Sequence, residues 1–206
     1  MAHLPLSLVK KFYYREKLST IEIAKRLKTT PWIVQKFMIR KKLPRRTFTE
    51  ANKVLFERKP KSFSLKQKLS KKEEALKIAG IMLYWAEGSK SNPKNRMWTV
   101  DFSNSNSGMI KVFLKFLREI CGIDEKRLRI FMYCYADQNI KTLKKYWCKT
   151  TGVPLRQFTK PYVRQDFLPE KSGKMRYGLV HVRYSDKKLL LQVEDWIQEY
   201  LRRNNI

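Results

Sequence analysis

Apolar positions recur with two different periods along this chain, and the change of period divides it. Over residues 6–41 they return every three or four positions, the spacing of helices that bury one side. Residues 6–17 read as a first helix, with Leu8, Val9, Phe12 and Tyr13 on one face. Ser19 followed by Glu22 is a capping-box pattern opening a short second helix. Thr30 caps a third over residues 31–41, with Pro31 at the first position, where a missing N–H costs little. Residues 49–74 lose this rhythm and read as a basic linker, until Ser70 and Glu73 form another capping box. The helix that follows, 73–87, ends at Gly88. Strict alternation then marks three strands. They are 96–103 (Trp98, Val100 and Phe102 on one face), 127–136 (Leu128, Ile130, Met132 and Cys134) and 174–184 (Val180, Val182 and Tyr184). Residues 89–92 read as a shorter strand and 153–174 as irregular. Helices are expected at 108–121, 139–151 and 187–202.

Charge changes the picture from fold to partner. Lys and Arg number 46 against 18 Asp and Glu, a net charge of +28 over 206 residues. Self-repulsion of that size opposes compaction, so a polyanionic partner is expected, with nucleic acid ahead of an anionic membrane. No apolar run approaches the roughly 20 residues of a spanning helix, and no signal pattern opens the chain. Both halves are basic, so both are expected to touch the polyanion. Cys121, Cys134 and Cys148 lie far apart with only His3 and His181 to assist, which argues against zinc. Free thiols fit a reducing, cytoplasmic and nucleoid-associated setting.

The first three helices carry candidate chemistry. Ser19, Glu22, Ile23, Ala24 and Leu27, a short turn, then Thr30, Pro31, Val34 and Met38 resemble a helix-turn-helix. Ala24 is small where two helices cross, and Ile23, Leu27, Val34 and Met38 fill the space between them. The resemblance implies that the third helix enters a major groove. Its outward positions would be Trp32, Gln35, Lys36 and Arg40. Gln35 suits adenine, and Lys36 and Arg40 suit guanine or phosphate. Trp32 serves equally as a packing residue. Beyond the helix, Arg45 and Arg46 belong to an extended basic arm.

A second resemblance covers about residues 73–204. Ile78, Ala79 and Gly80 leading to Ala86, Glu87, Gly88 and Ser89, followed by the element order above, look like the LAGLIDADG homing-endonuclease family. The resemblance implies an α+β fold. A three-helix helix-turn-helix domain (1–48) and a linker (49–74) would precede an αββαββα domain (75–206) with an antiparallel saddle sheet on DNA. With one motif per chain it implies a homodimer paired through Ala79, Gly80, Leu83 and Ala86. Glu87 becomes the candidate ligand for Mg²⁺ or Mn²⁺ and, with Lys90, a candidate catalytic residue. Arg127, Arg129, Tyr133, Arg176, His181 and Arg183 become candidate double-stranded DNA contacts. The pattern is departed from at bulky Tyr84 and Trp85, in a motif two residues longer than usual, and in an inserted segment, 139–174. Asp101 reads as a solvated strand acid. Two other functions fit the same residues: a transcription regulator that binds without cleaving, and an RNA-binding splicing helper stacking bases on Phe131, Tyr133 and Tyr135.

Overall fold

The computed structural model describes residues 4–92, 98–165 and 175–206. The chain divides into two units, one ending at Pro60 and one beginning at Lys61.

In the first unit α1 (Leu6–Lys10) widens into a π turn over Lys11–Arg15, and α2 (Thr20–Arg26), α3 (Pro31–Arg40) and α4 (Phe48–Arg58) follow. Val9, Tyr13, Ile23, Ala24, Val34, Phe37 and Met38 close a small core. Leu8, expected inward, is exposed. It stands about 100° around the helix from Val9, at the margin of the buried face. Ser19 and Glu22 form the expected capping box, and Thr30 accepts from the backbone N–H of Ile33.

The stretch read as a linker contains the boundary between the units and is structured on both sides of it. Thr47 and Glu50 form a capping box at the start of α4, and Arg58 donates to both Glu22 oxygens at 2.7 and 3.1 Å. Residues 61–66 instead belong to the second unit. Ser64 N–H donates to Gly122 and Lys66 N–H to Ile120, both at 3.0 Å, and Ser62 Oγ donates to Asp186 at 2.5 Å. Backbone bonds and two side chains, Ser62 and the buried Phe63, hold this strap, too few to show a period.

The Arg58 guanidinium and the cap to Ser19 hold the Glu22 carboxyl down to about 2. A depressed folded pKa stabilises above the ordinary Glu value of about 4.3 and is lost as pH falls towards the folded value. The two side chains are 39% and 41% exposed, and screening limits the effect to about 1 kcal/mol. Glu22→Gln is therefore expected to lower the melting temperature of this unit at neutral pH. The gap between variant and wild type should close as melts are repeated towards about pH 2.

The second unit runs α5 (Lys71–Glu87), β1 (Val100–Asn104), α6 (Ser107–Glu119), β2 (Arg129–Tyr135), α7 (Ile140–Thr151), β3 (Tyr162–Arg164), β4 (Leu179–Tyr184) and α8 (Lys187–Arg203). The sheet order is β1-β4-β2-β3. β4 is antiparallel to both neighbours, whereas β3 runs parallel to β2. The fold is α+β with a mixed sheet, which corrects the antiparallel expectation. The inserted α7 carries the chain back along β2, so the strand after it runs the same way. In place of the expected strand at 89–92 there are isolated bridges at Gly88, paired with Phe102, and at Asn92, with Ser89 N–H donating to Asp101 O at 2.9 Å. The early parts of the expected strands at 96–103 and 174–184 fall partly on residues 96–97 and 174, outside the described ones.

Alternation decides the two faces of this sheet. Val100, Phe102, Ile130, Met132, Cys134, Val180, Val182 and Tyr184 are buried in one core with Ile81, Tyr84, Phe113, Phe116 and Leu189 from the helices. The intervening residues point the other way and remain at least partly accessible, Asp101 excepted.

Candidate nucleic-acid interface and carboxylate site

On α3, the buried residues Val34, Phe37 and Met38 turn a different side outward. Trp32 and Ile39 are 61% and 62% exposed, Lys36 and Arg40 are exposed beside them, and the Lys36 ammonium lies 4.1 Å from the Trp32 ring. Trp32 is thus an outward residue and not a core one. Gln35 is half-buried, with its amide 3.5 Å from Thr20 Oγ1. Arg45 is exposed. Arg46 is not part of a free arm. Its guanidinium donates to the carbonyls of Lys17 (2.9 Å) and Leu18, and lies 4.2 Å from the Tyr13 ring. Its unmet need for acceptors is answered inside the unit.

The end of α5 sorts the motif residues differently from expectation. Gly80 is buried, and a methyl group there would overlap the Phe116 ring of α6. Leu83 packs against the same core. Both were expected at a helix–helix dimer face, and both are used within the chain. Tyr84 is fully buried, stacks on Phe113 at 5.9 Å and donates its hydroxyl to Ser89 O. The bulky residue expected to obstruct that face therefore points away from it. What α5 leaves outward is Ala75 and Ala86, with Ala79 half-buried between them. Ile78 and Trp85, 43% and 44% exposed, flank them.

Glu87 is exposed at the last position of α5, and its carboxylate has no hydrogen bond or ion pair among the described residues. Lys90 has a different occupation from the expected catalytic one. Its Nζ donates to the carbonyls of Tyr84 (2.9 Å), Trp85 (2.8 Å) and Gly88 (2.9 Å). An ammonium group has three donors, and all three are spent on the helix end. Lys90 therefore caps the terminal carbonyls and balances the negative end of the dipole. Burial pushes its pKa down, while Glu194 pulls the other way.

The accessible sheet face gathers the strand candidates in rows. Asp101, Arg183 and Arg129 are neighbours across β1, β4 and β2, as are Ser103, His181 and Phe131. Leu179, Tyr133 and Tyr162 form the next row, and Tyr135 pairs with Arg164. Arg129 is exposed and anchored through one nitrogen to the carbonyls of Lys126 and Leu128. Arg183 lies 4.6 Å from the Phe131 ring, and Tyr133 stacks on Tyr162 at 5.0 Å. Arg127 donates to Ser185 O at 2.6 Å, and Arg176 sits exposed in the turn before β4, over Tyr177.

Asp101 is not a solvated acid. Its side chain is 6% exposed, and its oxygens meet His181 Nδ1 at 2.8 Å and Arg183 Nε at 2.7 Å. Burial works to raise its pKa, but the hydrogen bonds and charges of His181 and Arg183 outweigh that and lower it. Sequence reasoning also missed Tyr162 and Arg164, because a three-residue strand shows too little alternation to be read.

Among the described residues no group of three or more His, Cys, Asp or Glu is disposed to hold a metal ion, and no helix is long and apolar enough to cross a membrane. Cys121, Cys134 and Cys148 are free thiols. No family model, curated protein or solved structure matches the chain.

Proposed function

We propose that this chain is a sequence-specific double-stranded DNA-binding protein that acts as a homodimer and cleaves phosphodiester bonds with a divalent metal held by Glu87. The observation that carries the reading is the accessible sheet face, where Arg129, Arg183, His181 and Tyr133 from two adjacent strands share one surface opposite the core. Arg129 and Arg183 stand directly opposite each other; Asp101 offsets the charge of Arg183, and Arg129 has no ion pair among the described residues.

Duplex rather than single strand is favoured because one face each of Phe131 and Tyr133 is already covered. Arg183 lies over Phe131 and Tyr162 over Tyr133, leaving those faces little room for an unstacked base. The outward Ala75 and Ala86, with half-buried Ala79 between them, suit close pairing with a second copy. Within the LAGLIDADG resemblance, α5 is the pairing helix and the sheet is the saddle on the major groove.

Glu87 fits Mg²⁺ as a hard, accessible oxygen donor without a competing partner among the described residues. One carboxylate per chain is few, and a second copy would bring its own. Such an ion supplies Lewis-acid polarisation of a phosphoryl oxygen. The chain's own residues bind and orient the duplex through the sheet and α3. A second reading, binding without cleavage, draws on Lys90, whose donors are all engaged at the helix end.

Selection from a randomised duplex library tests the binding half of the proposal. Enrichment of a pseudo-palindromic site carrying two chains by native mass is the expected result. No enrichment, or one chain per site, contradicts it.

A further inference from the structure

Asp101 is an acid on a surface proposed to meet DNA, and on charge alone it should hinder binding. Its geometry says otherwise. Exposure rises outward through the cluster, from 6% at the Asp101 side chain to 22% at His181 and 36% at Arg183. The carboxylate thus lies beneath its two partners. One oxygen takes His181 Nδ1 at 2.8 Å and the other takes Arg183 Nε at 2.7 Å. On Arg183 that leaves both Nη groups without a partner among the described residues, and on His181 it leaves Nε2 likewise. The Phe131 ring closes the assembly from β2, against the His181 edge at 5.4 Å and under the Arg183 guanidinium at 4.6 Å.

A guanidinium on its own flexible stem samples many directions, and ordering it on DNA costs entropy. Here that ordering is done beforehand. The Nε bond fixes the plane of the fork, and the Phe131 face fixes its tilt. Asp101 is also tied to the segment that follows α5, since its carbonyl accepts from Ser89 N–H, two residues beyond Glu87.

We propose that Asp101 is a positioning residue for nucleic-acid binding: it holds Arg183 with both Nη groups free as a preformed phosphate seat, beside His181, whose Nε2 donates to a phosphate in the imidazolium form. This rests on the duplex-binding reading above. It adds that binding at this face depends on aim as well as on charge.

The test uses the full chain and a labelled mixed-sequence duplex, titrated over a series of salt concentrations. Asp101→Asn makes the protein more positive, so a charge-only surface would bind more tightly. The proposal expects affinity to fall about tenfold and the log–log salt slope to shrink by roughly one phosphate contact. Arg183→Lys keeps the charge, replaces an accessible group and does not depend on a buried substitution. It is expected to bind as weakly as Arg183→Gln, because an ammonium has no Nε for Asp101 to hold. In the Arg183→Gln, His181→Gln background, Asp101→Asn should have no further effect on affinity. The proposal is overturned if Arg183→Lys binds like wild type, or if Asp101→Asn, folded by its thermal melt, binds equally or more tightly with an unchanged slope. Those results leave duplex binding intact. If wild type itself fails to bind the duplex, the functional reading falls and this proposal falls with it.

Discussion

Replacing Gly80 with alanine is expected to destabilise the second unit, although alanine is the better helix former. Propensity alone favours the change by about 1 kcal/mol. Against it stands the Phe116 ring, fully enclosed, into which the new methyl would project. Phe116 cannot turn aside, because it lies among Phe113 at 5.8 Å and Trp196 at 6.1 Å. Overpacking of that kind costs typically about 1–3 kcal/mol, and more where the neighbour is fixed. The net loss should be roughly 2 kcal/mol, a fall in melting temperature of about 4–8 °C for a unit of this size. Gly80→Leu should prevent folding. Ala79→Val, one position along and only half-buried, should leave the monomer's melt within about 0.5 kcal/mol of wild type. The pair of variants separates two roles that small residues on one helix can have. If Gly80→Ala melts with wild type, the close approach of α5 and α6 is wrong.

That separation also marks how far the sequence could be read. Features set by neighbours in the chain were legible. The caps at Ser19 and Thr30, the stop at Gly88 and the two faces of β2 and β4 all follow from residues within a few positions of one another. What depends on distant partners was not. A small-residue motif says that something approaches closely, but not whether it is Phe116 of the same chain or a second copy. Lys90 reads as a basic residue near a carboxylate until its three carbonyl acceptors are seen. Asp101 and Arg183 are 82 positions apart, so a solvated acid and a buried anchor look alike in the sequence. The strap at 61–66 is held by backbone bonds together with Ser62 and Phe63, whose partners lie far along the chain. At the candidate site, Glu87 and the outward strand residues were legible, while the support beneath them was not.

Glu87→Gln carries the largest functional effect expected here. The substitution keeps size and exposure and removes the charge a divalent ion needs. Because Glu87 has no protein partner among the described residues, its loss should not disturb the fold. Supporting groups around bound metals cost about 10–100-fold when removed, so loss of the ligand itself should exceed about a hundredfold in cleavage. Duplex affinity, carried by the sheet and α3, should stay within about threefold, since a lost carboxylate also relieves repulsion with phosphate. The direct measurement is to incubate wild type and Glu87→Gln with the selected duplex and Mg²⁺ or Mn²⁺, scoring strand breaks and binding in the same samples. The account predicts cleavage by wild type that disappears in the variant while binding persists. Specific binding by wild type with no cleavage in either metal, or cleavage undiminished in Glu87→Gln, would contradict it.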